Sequence, residues 1–371
     1  MKIKPFELER YFAKYEFCTK YLLSSSDCEP ILLKELMDMA DDESLSLYES
    51  LSLGYTQSTG HPKLLDEISN LYNSANEDNI LVLAPQEGIF TASNVLLEKG
   101  DHVICTYPGY QSLYEIANSI GCEVSFWKAR YGKQGAYFDL DELRAQIKRN
   151  TRLIVFNFPH NPTGYVPPLD EYMKIFEIAR NKGIYILSDE MYRFLETDGN
   201  VTLPFACDVY EKAVSLFGLS KTFALPGLRI GWLCSVDEKV MDDSRQFRDY
   251  LTICSSAPSE IMAIMALRAK EQIIKRSREI VDVNLAHVKS FFERHRDRFS
   301  YYEPLAGSIC YPKLEGSVKV GEFCEELARK NEVMLLPCDV YGEDNNRFRL
   351  GYGRRNLPEA LEALESYLKD N

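Results

Sequence analysis

No apolar run in these 371 residues approaches the roughly 20 needed to cross a bilayer. The opening, MKIKPFELERYFAKYEF, mixes acids with bases and lacks the apolar stretch of a secretion signal. Positive charge is also short: 43 Lys and Arg against 56 Asp and Glu leave a net −13, which repels nucleic acid and anionic membranes at long range. Neither is expected as a partner, and a cytoplasmic location is. The ten cysteines include no CxxC pair, in a chain too long to need disulfide staples, so reduced core thiols are expected. No GxGxxG turn follows a strand, which disfavours a nicotinamide-binding dehydrogenase. No helix-turn-helix region precedes the motifs described below, which disfavours a ligand-sensing transcription regulator.

What is present is an alternation of short β-branched runs with amphipathic helices, the pattern of an α/β fold with a mainly parallel sheet covered on both faces. The runs at 102–106, 152–158 and 184–190 read as strands. Residues 110–121 read as a helix closed by Gly121, and 168–183 as a helix with acids in its first turn and Gly183 beyond its end. From about Glu271 the pattern becomes one long helix followed by mixed short elements, and a domain boundary is expected there.

Ligands of open α/β sheets sit beyond the carboxyl ends of the strands, and three segments fall there. NFPHNPTG (157–164) places a turn with two prolines and a glycine after a buried strand, fixing the direction of Asn161. SDEMYRF (188–194) puts Asp189 at the end of an apolar strand, with Tyr192 three residues on. SLFGLSKTFALPGLRIGW (215–232) carries only two charges, Lys221 and Arg229, eight positions apart. Taken singly, these segments read as a Pro-rich turn, a helix N-cap and a snorkelling surface lysine.

Together and in this order, NPTG, Asp-x-x-Tyr and Ser-Lys with Arg eight residues on, they resemble the fold-type I pyridoxal-phosphate enzymes, specifically the class I/II aminotransferases related to aspartate aminotransferase. The resemblance runs from about Leu23 to the C-terminus. It implies a large domain (34–270) with a seven-stranded, mainly parallel sheet flanked by helices. A smaller α+β domain would comprise an N-terminal segment (1–33) and residues 271–371. The cofactor implied is pyridoxal 5′-phosphate, and the reaction is transfer of an amino group between an L-amino acid and a 2-oxo acid by a ping-pong Schiff-base mechanism. The alternative is a lyase or cyclase reaction on an amino acid, for example in natural-product biosynthesis, because the same electron sink serves both.

By the same resemblance Lys221 forms the Schiff base and moves the α-proton, and Asp189 holds the pyridine nitrogen protonated. Tyr192 and Asn161 are hydrogen-bond partners of the phenolic oxygen, with Asn161 also at the substrate. Tyr110, in YPGYQ, stacks on the ring, while Arg229 and Ser220 bind the phosphate. Tyr55 matches a tyrosine that reaches the phosphate of a neighbouring subunit, which implies a homodimer with shared sites. Arg349, in NRFRLGY, would grip the substrate carboxylate, since a guanidinium binds one bidentately. Arg347 and the pair Arg354–Arg355 compete for that role: strand alternation puts Arg347 on the same face, and the family spacing favours Arg349.

Two departures affect the phosphate site. Gly218 stands where the family commonly has serine, so Gly218→Ser is expected to tighten cofactor binding unless another group already replaces the hydroxyl. Pro85, in LAPQEGIF (83–90), has no N–H to donate, which leaves the amides of Gln86 and Glu87 to do the cradling. No motif identifies the side-chain pocket.

Overall fold

In the computed structural model, which describes residues 2–197 and 202–370, seven strands form the central sheet. They are β1 (Ile80–Leu83), β2 (His102–Tyr107), β3 (Glu123–Lys128), β4 (Thr151–Asn157), β5 (Tyr185–Asp189), β6 (Ala213–Gly218) and β7 (Gly231–Cys234). Their order is β1-β7-β6-β5-β4-β2-β3, and β7 alone runs against its neighbours. The expected α/β fold with a mainly parallel sheet is what the chain adopts.

Period-two alternation explains why both faces are covered. Val103, Cys105, Leu153 and Val155 point to one face, against helices Pro85–Leu96 and Ser112–Ile120. Ile104, Ile154, Phe156 and Ile186 point to the other, where Tyr172, Ile175 and Phe176 of helix Leu169–Arg180 meet them.

Beyond the sheet, helix Lys270–Arg294 leads to a three-stranded antiparallel sheet: β8 (Ile309–Cys310), β9 (Leu336–Pro337) and β10 (Phe348–Gly351), in the order β8-β10-β9. The N-terminal segment lies along it. Tyr21 bridges to Val333, and the Gly351 N–H donates to Leu23 O at 2.6 Å. A Cβ on Gly351 would fall 1.8 Å from Ser25 O, so only glycine lets the two backbones approach this closely. That contact carries residues 24–27 to the rim of the large sheet. All ten cysteines are free thiols, eight of them buried, and burial pushes Cys28 up to about 12. No helix among the described residues is long and apolar enough to cross a membrane.

Candidate active site

Strands β4, β5 and β6 end at one edge, and a cavity of about 480 Å³ opens beyond them. Asn157, the last residue of β4, ties two of these ends together. It is paired in register with Asp189, its Nδ2 donates to Asp189 O at 2.9 Å, and its Oδ1 accepts the Asn161 N–H at 2.7 Å. The NPTG turn and the end of β5 are thereby held as one unit. Asp189 is 6% exposed, and the Met191 N–H donates to its Oδ1 at 3.2 Å. Burial raises this carboxyl to about 6, against the pull of that N–H and of the Lys221 charge. Such a carboxylate lacks a strong cation, and a protonated ring nitrogen would supply one.

Lys221 follows β6 through a short turn, and its Nζ donates to Ser26 Oγ at 2.8 Å. Burial lowers its pKa, and the Arg349 and Arg229 charges lower it further, while Asp27 and Asp189 oppose them. This is the environment that turns a lysine into a usable nucleophile and base. Arg229 lines the same cavity from a left-handed conformation (φ 56°) that closes the Pro226–Leu228 turn, with its Nη1 donating to Pro226 O at 2.9 Å.

The structure brings Asn161, Asp189, Tyr192, Tyr110, Ser220, Lys221, Arg229, Gln86 and Arg349 to this cavity. Arg349 is 1% exposed. Its Nη2 donates to Ser24 O at 2.7 Å and its Nη1 to Asn161 Oδ1 at 3.2 Å. Arg347 is elsewhere: its guanidinium stacks 3.7 Å from the Tyr131 ring centroid and donates to Tyr311 O. The extended pairing does reach Arg347, which bridges to Lys313, but its guanidinium is taken up by Tyr131 and Tyr311 and does not line the cavity. Arg354 also lines the cavity, but it is committed to Asp27, 3.0 Å from both carboxylate oxygens.

Two expected residues do not join the group. The Glu87 side chain turns away and accepts from Thr252 Oγ1 at 2.7 Å, so only its backbone N–H remains for cradling. The first amide of its helix to reach back to a carbonyl is Gly88, on Ala84 O, which leaves those of Gln86 and Glu87 as orphan donors. Tyr55 is 92% exposed and outside the cavity.

The two departures at the phosphate site prove to be one packing arrangement. Gly218 and Gly231 face each other in register across β6 and β7. A Cβ on Gly218 would lie 2.7 Å from Gly231 Cα and 3.2 Å from Pro85 Cγ; one on Gly231 would lie 2.8 Å from Pro85 Cγ. The proline ring fills the space above two bare glycines. Gly218→Ser cannot restore a hydroxyl here, because its Cβ has no room against the neighbouring backbone, so the expected tightening is withdrawn.

Several polar atoms are buried at the cavity without a hydrogen bond: Ser220 Oγ, Gln86 Oε1 and the Tyr192 hydroxyl, which lies near Ser26 but outside bonding geometry. Unmet polar groups of this kind, beside an arginine and a helix N-terminus, suit an anionic, hydrogen-bonding ligand. Sequence reasoning missed Ser26, Asn157 and the Asp27–Arg354 pair. Asn157 alone gave a signal, as the polar end of an apolar strand.

These features can be set beside known proteins. A capreomycidine synthase from Streptomyces vinaceus is 29% identical over 76% of this chain and 72% of its own. An aspartate aminotransferase from Pyrococcus horikoshii is 27% identical over 85% of this chain and 83% of its own. The crystal structure of a PLP-dependent aminotransferase from Streptococcus suis matches with a TM-score of 0.93 at 31% identity, covering 100% of this chain and 99% of that one. The family model for class I and II aminotransferases matches residues 22–364, and the chain belongs to that family.

Proposed function

We infer that the protein moves an amino group between an L-amino acid and a 2-oxo acid with pyridoxal 5′-phosphate as cofactor. One observation carries this: an amine (Lys221), a carboxylate (Asp189) and a guanidinium (Arg349) converge on one buried cavity. The donor set fits the cofactor, with Arg229, Ser220 Oγ and the Gln86 and Glu87 amides for a phosphate and Asp189 for a ring nitrogen. When bound, the cofactor supplies an aldehyde that takes up amines and a ring that accepts the electrons of the substrate α-carbon.

The chain's own groups do the rest. Asp189 holds a proton on the ring nitrogen by charge attraction. Arg349 fixes the substrate carboxylate, and with it the face of the α-carbon turned to Lys221. Lys221 Nζ, whose hold on its proton burial weakens, takes and returns the α-proton. Tyr192 and Asn161 would be the hydrogen-bond donors for the cofactor's phenolic oxygen, and Tyr110 the aromatic side chain available to its ring. In this reading residues 34–270 hold the cofactor, and residues 1–33 with 271–371 make the smaller domain. The free buried thiols support a cytoplasmic location.

The test is a titration of the holoenzyme's visible absorbance with single amino acids. Conversion to the amine form of the cofactor, reversed by a 2-oxo acid, is expected. Release of ammonia or a cyclic product without that form would replace transamination by the lyase or cyclase alternative, which the similarity to capreomycidine synthase supports.

A homodimer belongs to the same proposal. Tyr55 and Leu53 stand exposed on one loop, and Tyr250 and Ile253 on another. The loops are joined where Thr56 Oγ1 donates to Ser255 O at 3.1 Å and Arg248 donates to Ser58 O. Exposed apolar groups on two linked loops suit a self-complementary contact. Light scattering during dilution should show cofactor release accompanying dissociation, and monomers that keep the cofactor as tightly as dimers would overturn the shared site.

A further inference from the structure

One face of helix Glu7–Tyr15, continued by Glu16, forms the outer wall of the cavity through Leu8, Glu9, Phe12 and Glu16. Leu8 is buried, and the Phe12 ring lies 5.9 Å from the Arg349 guanidinium. At 1.5 Å of rise per residue the two acids stand about 10 Å apart along the axis, with Phe12 between them. Neither carboxylate has a hydrogen-bond or ion-pair partner among the described residues. Burial, then the charges of Glu9 and Asp27, raise Glu16 against the opposing charge of Arg354, so these acids face common ground. Burial, then the charge of Glu9, raises Tyr110, which lines the same cavity. Asp27 is ion-paired with Arg354, whereas neither Glu9 nor Glu16 is in an ion pair among the described residues. The opposite wall is cationic, with Lys221, Arg229 and Arg349. That this is a ligand cavity rests independently on Ser220, which is 6% exposed with its hydroxyl unpartnered in it.

We propose that Glu9 and Glu16 select amino donors whose side chain ends in a cation, as in lysine or arginine, with the methylenes against Leu8 and Phe12 and the α-carboxylate on Arg349. This rests on the aminotransferase reading. A dicarboxylic donor would turn its second carboxylate toward two unpaired carboxylates, and a neutral chain would leave both unanswered.

The experiment is equilibrium titration calorimetry of the holoenzyme with L-lysine, its neutral analogue L-norleucine, L-arginine, its neutral analogue L-citrulline, and L-glutamate. Amino transfer is read in parallel from the cofactor's absorbance. Lysine or arginine is expected to bind about tenfold or more tightly than its neutral analogue, from two partly screened ion pairs. The ratio should shrink in high salt and approach one in the double variant Glu9→Gln, Glu16→Gln. Equal binding of cationic and neutral analogues, tighter binding of glutamate, or an unchanged ratio in the double variant would overturn the proposal. Amino transfer from norleucine or glutamate without a cationic preference would overturn it while keeping the aminotransferase reading. Cation-selective binding lost with the two glutamates, but with no amino transfer from any donor, would overturn that reading alone.

Discussion

Lys221→Ala should retain the cofactor but turn over at least about four orders of magnitude more slowly, because one substitution removes both the nucleophilic amine and the group that moves the α-proton. No other described lysine lines the cavity, so no neighbour can stand in. Borohydride treatment of the wild type should fix the cofactor's mass on the peptide containing Lys221, and the variant should carry no such label. A label on a different lysine, or a variant within tenfold of wild type, would refute the assignment.

Asp189→Asn should lower turnover by two to three orders of magnitude or more, since an amide cannot hold the ring proton by charge. The same substitution should not weaken the cofactor-free fold near neutral pH. A carboxyl raised from its ordinary value near 4 to about 6 binds its proton more tightly folded than unfolded. Its ionisation therefore costs stability progressively as pH rises through that window, and in full above it. Asparagine has no charge to bury, so the cofactor-free variant should melt at or above the wild-type temperature at pH 7 and lose that advantage toward pH 4. Thermal melts across this range, beside single-turnover rates, test both halves. A variant that melts lower at every pH, or loses less than tenfold in the chemical step, would count against this account of Asp189.

The central residues were legible because each sits in a short local pattern at a strand end. Asn161 is fixed by its own turn, Asp189 terminates an apolar run, and Lys221 is the one cation between Ala213 and Leu228. Element ends were less so. The helix expected over 168–183 runs from Leu169 to Arg180, and Gly183 (φ 66°) belongs to the turn after it. Contacts between distant segments left no local trace. Ser26 lies 195 residues from Lys221, and nothing in its neighbourhood of serines marks it as the lysine's partner. Glu9 and Glu16 look like ordinary solvated helix acids until the fold lays their helix over the cavity. Arg347 gave no local sign that Tyr131 and Tyr311 would occupy its guanidinium and leave the cavity to Arg349.

Pro85, Gly218 and Gly231 together limit how this chain can be recombined with its relatives. The ring of one occupies the volume that side chains on the other two would need, and the two glycines approach through backbone atoms. A serine imported at position 218 alone meets a backbone spacing that it did not come with. Segments 83–90 and 215–232, though more than 120 residues apart in the chain, therefore behave as a single heritable block. A chimera that takes the lysine-bearing segment from another family member must take the helix start facing it as well.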